Sequence, residues 1–123
     1  MQPTKLTPKK IDKAWGYELW MVNNNKYCGK ILHFSEKAKF SMHYHLIKDE
    51  TWYIQNGEFI FRWIDTKNAN IIEEKLVEGD CIHIPIGLPH QLETSKGGTI
   101  IETSTEHYEE DSYRIIKGDS QIK

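Results

Sequence analysis

The chain has 123 residues, 38% of them hydrophobic and 28% charged, with four Trp, six Tyr, four Phe and a formal net charge of −2. That length suits one domain with one core, and the slight acidic balance provides no basic surplus to neutralise a phosphate backbone, so nucleic acid is not an expected partner. No run of about eighteen apolar residues is present and Met1 to Asp12 lacks the apolar centre of a signal peptide, so neither a membrane nor export is expected, and cytoplasmic residence is the default.

Residues 1–14 are polar and contain Pro3 and Pro8. They read as an N-terminal arm, expected to pack partly on a neighbouring barrel in a homodimer. From there the chain alternates short runs rich in Ile, Val, Tyr, Phe and Trp with turn clusters, and no apolar period of 3.6 persists, so the fold is expected to be all-β. Strands are predicted over 17–22, 27–34, 40–45, 51–54, 58–64, 71–77, 81–84, 90–94 and 99–105. Turns are placed at Asn23 to Asn25, Asp65 to Asn70 and Ser95 to Gly98. Nine short antiparallel strands suit a sandwich or a jelly-roll barrel. Tyr113 to Ile116 is apolar enough for a last strand or a short helix, and residues 117–123 read as a tail. Cys28 and Cys81 form no CxxC pair, which favours free thiols and leaves a disulfide open.

The densest chemistry lies in His43-Tyr44-His45 followed by Glu50. Residues two apart on a strand share a face, so both imidazoles project together. Glu50 starts the next strand after the Leu46 to Asp49 turn and is expected to return its carboxylate to the same patch across a hairpin. Downstream, Pro85-Ile86-Gly87-Leu88-Pro89 reverses the chain and delivers His90 to a strand start, where it can complete a site for one divalent transition metal. Three imidazoles and one carboxylate leave open positions on the ion, as catalytic sites do. His33, His83 and His107 read as satisfied or solvent-facing, Arg62 as surface, and Glu106, Glu109, Glu110 and Asp111 as a solvated acidic face.

Both blocks resemble the two motifs of the cupin superfamily. The HxH, the four-residue gap, Glu50, the six-residue gap and Gly57 match the first, with Lys37 at its opening Gly. Gly79, Pro85, Gly87 and His90 match the second, with Thr94 at its closing Asn. The resemblance implies a double-stranded β-helix, a jelly-roll barrel here over 15–116, holding Zn, Mn, Fe, Ni or Co on His43, His45, Glu50 and His90. Trp15-Gly16-Tyr17-Glu18, Gly29 to Leu32, Glu50-Thr51-Trp52, Ile84 to Glu93 and Glu109 to Arg114 are similar to blocks of the mannose-6-phosphate isomerase type II-like cupins, many of which carry Gln where this chain has His43.

That likeness implies a metal-dependent sugar or sugar-phosphate isomerase with a small-molecule substrate. In such a reaction Glu102, or a hydroxide on the metal, would shuttle the proton, while Lys30 and Arg114 are candidates for a substrate phosphate or carboxylate and Tyr44, Trp52 and Tyr53 for sugar stacking. Two alternatives remain: an Fe, Mn or Ni dioxygenase or lyase on the same ligands, and a sugar-binding module without turnover.

Overall fold

The computed structural model describes residues 1–122. Eleven strands form in chain order: β1 (Lys9–Lys13), β2 (Gly16–Asn23), β3 (Cys28–Phe34), β4 (Ala38–Lys39), β5 (Met42–Tyr44), β6 (Glu50–Asp65), β7 (Asn70–Val77), β8 (Cys81–Ile84), β9 (His90–Thr94), β10 (Gly98–Ser104) and β11 (Tyr113–Ile116). A single helical turn, α1 (Asp119–Ile122), follows. Every ladder is antiparallel and the sheet runs β1-β2-β3-β10-β6-β9-β5-β11, curling into a jelly-roll barrel. No described helix is long and apolar enough to cross a membrane.

The expected break between 54 and 58 is instead a bend inside one 16-residue strand. The first half of β6 pairs with β10 and β8 and the second half with β7 and β9, so this strand carries the chain from one layer of the barrel to the other. Gly57 makes the bend possible. Its φ is +95°, and a Cβ there would lie 2.6 Å from the Gly97 carbonyl oxygen, so only glycine fits.

β1 was not expected. Lys9–Lys13 pairs with β2 of the same chain, which places that part of the arm in its own sheet, and lysines on such an edge discourage further pairing. Residues 113–116 resolve as strand β11, paired with β5. The tail does not trail free, because α1 is tied to the barrel: the Asp119 carboxylate accepts from the Lys39 amide at 3.0 Å, and the Ala14 amide donates to Ser120 Oγ at 3.2 Å.

Alternation along the strands sorts side chains into the interior, where Trp15, Leu32, Phe34, Phe40, Ile54, Phe59, Phe61, Leu92 and Ile100 belong to one buried cluster. Residues directly opposite on paired strands share a face, so the ladders also read as rows across the barrel. One layer carries an apolar row, Leu32, Ile100 and Ile54, and beside it a polar row, Trp20, Lys30, Glu102 and Trp52. On the other layer runs a row of Trp63, His90, His43 and Arg114. The polar row, together with His90, His43 and Arg114 of the imidazole row, lines one cavity.

Candidate metal centre

His43 lies on β5, His45 just past its end, and His90 opens β9 directly opposite His43. One ring nitrogen from each of the three lies within 4.8 Å of the other two. Glu50 arrives differently from expectation. β5 and β6 are not neighbours in the sheet, and Glu50 starts the half of β6 that belongs to the opposite layer, so its carboxylate comes across the barrel rather than across a hairpin. Its Oε2 lies 3.2 Å from His45 Nε2 and 3.9 Å from His90 Nε2.

All three rings are oriented from behind by main-chain carbonyls. The Nδ1 of His43 donates to Ser41 O at 2.8 Å, that of His45 to Asp111 O at 2.6 Å and that of His90 to Leu88 O at 2.9 Å. A proton held on Nδ1 leaves the Nε2 lone pair exposed for a metal. Trp52 Nε1 donates to Glu50 Oε1 at 2.8 Å and leaves Oε2 facing the imidazoles, with Lys48 Nζ 3.8 Å away. Glu50 Oε2 and His90 Nε2 are buried without a hydrogen-bond partner. Orphaned buried polar atoms are costly and call for an explanation, and a cation shared by imidazole nitrogens and a carboxylate oxygen provides one. The residues therefore fit a divalent metal.

Electrostatics agree. Burial drives the His90 pKa down to about 4, and burial with the neighbouring imidazoles of His90 and His45 drives His43 well below its ordinary value, so these two imidazoles are neutral at physiological pH. Burial pushes the Glu50 carboxyl up, but the Lys48 ammonium and the His45 ring outweigh it and hold that carboxyl well below the usual range. For Glu102 burial prevails over Lys48 and the pKa is raised. Burial likewise carries His107 down to about 3, helped by Lys30 and Lys48.

A testable consequence concerns the metal-free protein. The folded pKa of His90 lies below its ordinary 6.5, so the unfolded chain binds the extra proton between pH 6.5 and 4, and stability present above 6.5 is lost as pH falls through that window. The loss expected from His90 alone between pH 7 and 4.5 is about 2–3 kcal/mol at roughly 1.4 kcal/mol per pH unit. His107 acts in the same direction, and Glu102, whose folded form keeps its proton longer, acts in the opposite one. Urea titrations in EDTA at the two pH values measure the difference; equal midpoints would contradict it.

The remaining expected residues divide. Lys30 is buried because it falls in register with Cys28, Leu32 and Phe34 on the inner face of β3. Its Nζ lies 3.5 Å from Glu18 Oε1, 3.1 Å from His107 Nδ1 and 4.3 Å from the centre of the Trp20 ring. Glu102 is buried, accepting from Lys48 Nζ and from Trp52 Nε1, each at 3.3 Å. Trp52 lines the cavity, but it is 1% exposed and its indole N–H is committed to the two carboxylates, so it braces them. Arg114 lines the cavity on the imidazole row. Tyr44, alternating with His43 and His45, does not line it; its ring stacks on Tyr113 with centres 5.2 Å apart. Tyr53 is exposed. Arg62 pairs with Glu73 and Glu93 outside the cavity.

Two expectations change, that for Asp111 by reversal. His107, expected to be satisfied or solvent-facing, is satisfied by Lys30, but it lines the cavity rather than facing away from it. Asp111, taken as part of a solvated acidic face, is 3% exposed: its carboxylate accepts from the amides of Leu46, Ile47 and Lys48, and its carbonyl orients His45. Sequence reasoning also missed Glu18, Trp20 and Lys48. The first two share the inner face of a predicted strand, a signal that was present, whereas Lys48 sits in a turn and carries none. Cys28 is buried and Cys81 exposed, both as free thiols.

The Cupin family model matches residues 17–111. No curated protein matches the sequence. Among solved structures, the capsular polysaccharide assembling protein CapF from Staphylococcus aureus superposes with a TM-score of 0.78 at 16% identity, over 91% of this chain and 35% of that one. Oxalate decarboxylase from Bacillus subtilis, an enzyme with Mn(II) centres, superposes with a TM-score of 0.75 at 19% identity, over 88% of this chain and 30% of that one. The chain thus spans about a third of the length of these structures, and at such identities the likeness is one of fold.

Proposed function

The chain belongs to the cupin family, and we propose that it is a divalent-metal-dependent aldose–ketose isomerase acting on a sugar or sugar phosphate, with His43, His45, Glu50 and His90 as ligands. The observation that carries this reading is Glu102, a buried carboxyl with a raised pKa that lines the same cavity as the three imidazoles. Isomerisation moves a proton between adjacent carbons, and a carboxyl whose burial favours its protonated form is a suitable carrier.

Bound at the four ligands, the ion would supply Lewis acidity and a template for the two substrate oxygens. The protein's own groups do the rest. Glu102 accepts and returns the proton, Lys48 at 3.3 Å steadies its ionised form, and Trp52 keeps both carboxylates in place. The surrounding Phe40, Phe61 and Trp52 rings restrict water around His90. Cytoplasmic residence and a homodimer belong to the same proposal, the latter supported by edge strand β11 with Tyr113, Ile115 and Ile116 exposed.

The test uses protein loaded separately with Zn, Mn, Fe, Ni or Co and a panel of aldoses, ketoses and their phosphate esters in deuterated water. The expected result is interconversion with deuterium entering at the carbon next to the carbonyl, at equal rates in air and under argon, and loss of both in Glu102→Gln protein that still holds metal. The complete four-donor set favours a second reading, an oxygenase or lyase on a small chelating substrate. Oxygen uptake or cleavage products without isotope exchange would put that reading in place of the isomerase. A ligand-induced rise in melting temperature with no product would favour a binding module.

A further inference from the structure

The cavity's charges divide into an inner set that is matched and an outer set that is not. Inside, Lys30 lies within ion-pairing distance of Glu18, and Lys48 of both Glu102 and Glu50, at 3.3 and 3.8 Å. Lys30 also donates to His107 and lies over the Trp20 ring. Both ammonium groups are buried beside carboxylates that already offset their charge.

Arg114 and Lys13 stand apart from this set. Arg114 is directly opposite His43 on paired strands, so its side chain leaves the sheet on the same face as the imidazoles, yet it is exposed and has no ion pair among the described residues. Lys13, at the end of β1, lines the same cavity; against burial, its charge helps that of Lys30 to hold the Glu18 pKa down, but it forms no ion pair within 4 Å among the described residues. Ser112, Ser120 and Glu109 lie on the lining with them, and Glu109 lies 3.5 Å from His107 Nε2.

From this division we infer that the mouth of the cavity is an anion subsite, in which Arg114 and Lys13 receive a terminal phosphate monoester or carboxylate while the other end of the molecule reaches the imidazoles. The guanidinium supplies a planar two-pronged donor and the ammonium a point charge. Lys30 is a positioning residue that holds Glu18 and His107. The inference rests on the metal-centre reading for the orientation of the substrate and on no metal for the anion site itself. It narrows the substrate to a hydroxycarbonyl compound with an anionic far end.

Titration calorimetry with inorganic phosphate and, separately, gluconate tests it on nickel-loaded and EDTA-treated protein. The expected result is binding in both forms, weakened at least tenfold by Arg114→Ala and about threefold by Lys13→Ala, both rim changes that leave the core intact, with the loss growing at low salt. Phosphate binding with gluconate silent assigns a phosphate ester, and the converse a sugar acid. Binding that requires nickel and ignores Arg114 places the anion on the metal and overturns the mouth subsite while leaving the metal centre standing, as does wild-type protein that binds neither probe. Arg114-dependent binding in a protein that never retains nickel supports the subsite and defeats the isomerase reading instead.

Discussion

Soaked in a divalent metal and dialysed against metal-free buffer, His43→Ala protein is expected to keep less than about a tenth of an equivalent where the wild type keeps about one, because a lost ligand costs more than the 10–100-fold that a lost outer partner costs. His43 is the ligand to remove. It is only half-buried, and its ring rests on Phe40, His45 and His90 with centres 5.1, 5.0 and 4.7 Å away, so truncation opens the site to water without emptying the core. His90, by contrast, is 1% exposed among aromatic rings, and its truncation would confuse metal loss with a packing defect. A glutamine at 43 restores an amide oxygen donor, so His43→Gln should bind with intermediate affinity. Stability gives an independent readout. Metal at a hundredfold excess over its dissociation constant raises wild-type stability by about 2.7 kcal/mol, and the alanine variant should gain far less. Equal retention and an equal thermal gain in wild type and variant would remove His43 from the metal.

The imidazole cluster was legible because each motif is local. A two-residue spacing fixes a shared face on any strand, and the Pro85 to Pro89 turn announces a reversal before His90. What was not legible depended on pairing between distant segments. The four residues between His45 and Glu50 suggest a hairpin, yet β6 pairs with β10, some fifty residues downstream, and that ladder sets Glu50 on the opposite layer. Gly57 reads as a turn residue by type and serves as a bend, since the difference lies in whether Gly97 and Gly98 pass against it. Asp111 stands in an acidic run that resembles solvated surface. Its role is decided by three free amides more than sixty residues earlier, at Leu46 to Lys48. Lys30 illustrates both sides: alternation with Leu32 and Phe34 marks it as inward-facing, while its partners Glu18 and His107 come from other segments and change its role from ligand binder to brace.

Lys48 is the residue whose loss should cost most in stability. It is 5% exposed, with its ammonium between Glu102 and Glu50, and those carboxylates raise its pKa against the opposing effect of burial. Removing one partner of a buried ion pair leaves an uncompensated charge, typically costing about 3–5 kcal/mol. Lys48→Met keeps the length of the stem and deletes only the charge, so urea titration in EDTA at pH 7 should show a loss in that range. Without the ammonium, Glu102 is pushed further toward its neutral form, and protonation then relieves the repulsion from Glu50. The deficit relative to wild type should therefore shrink as pH falls from 7 toward 5. Removing the second charge as well tests the cause. Lys48→Met with Glu102→Gln is expected to be more stable than Lys48→Met alone, a non-additivity of about 1–3 kcal/mol that only directly interacting groups produce. If the single variant loses under about 1 kcal/mol, or the two changes simply add, the ammonium does not neutralise the buried carboxylates. The raised pKa of Glu102 would then need another explanation than the contest between burial and Lys48.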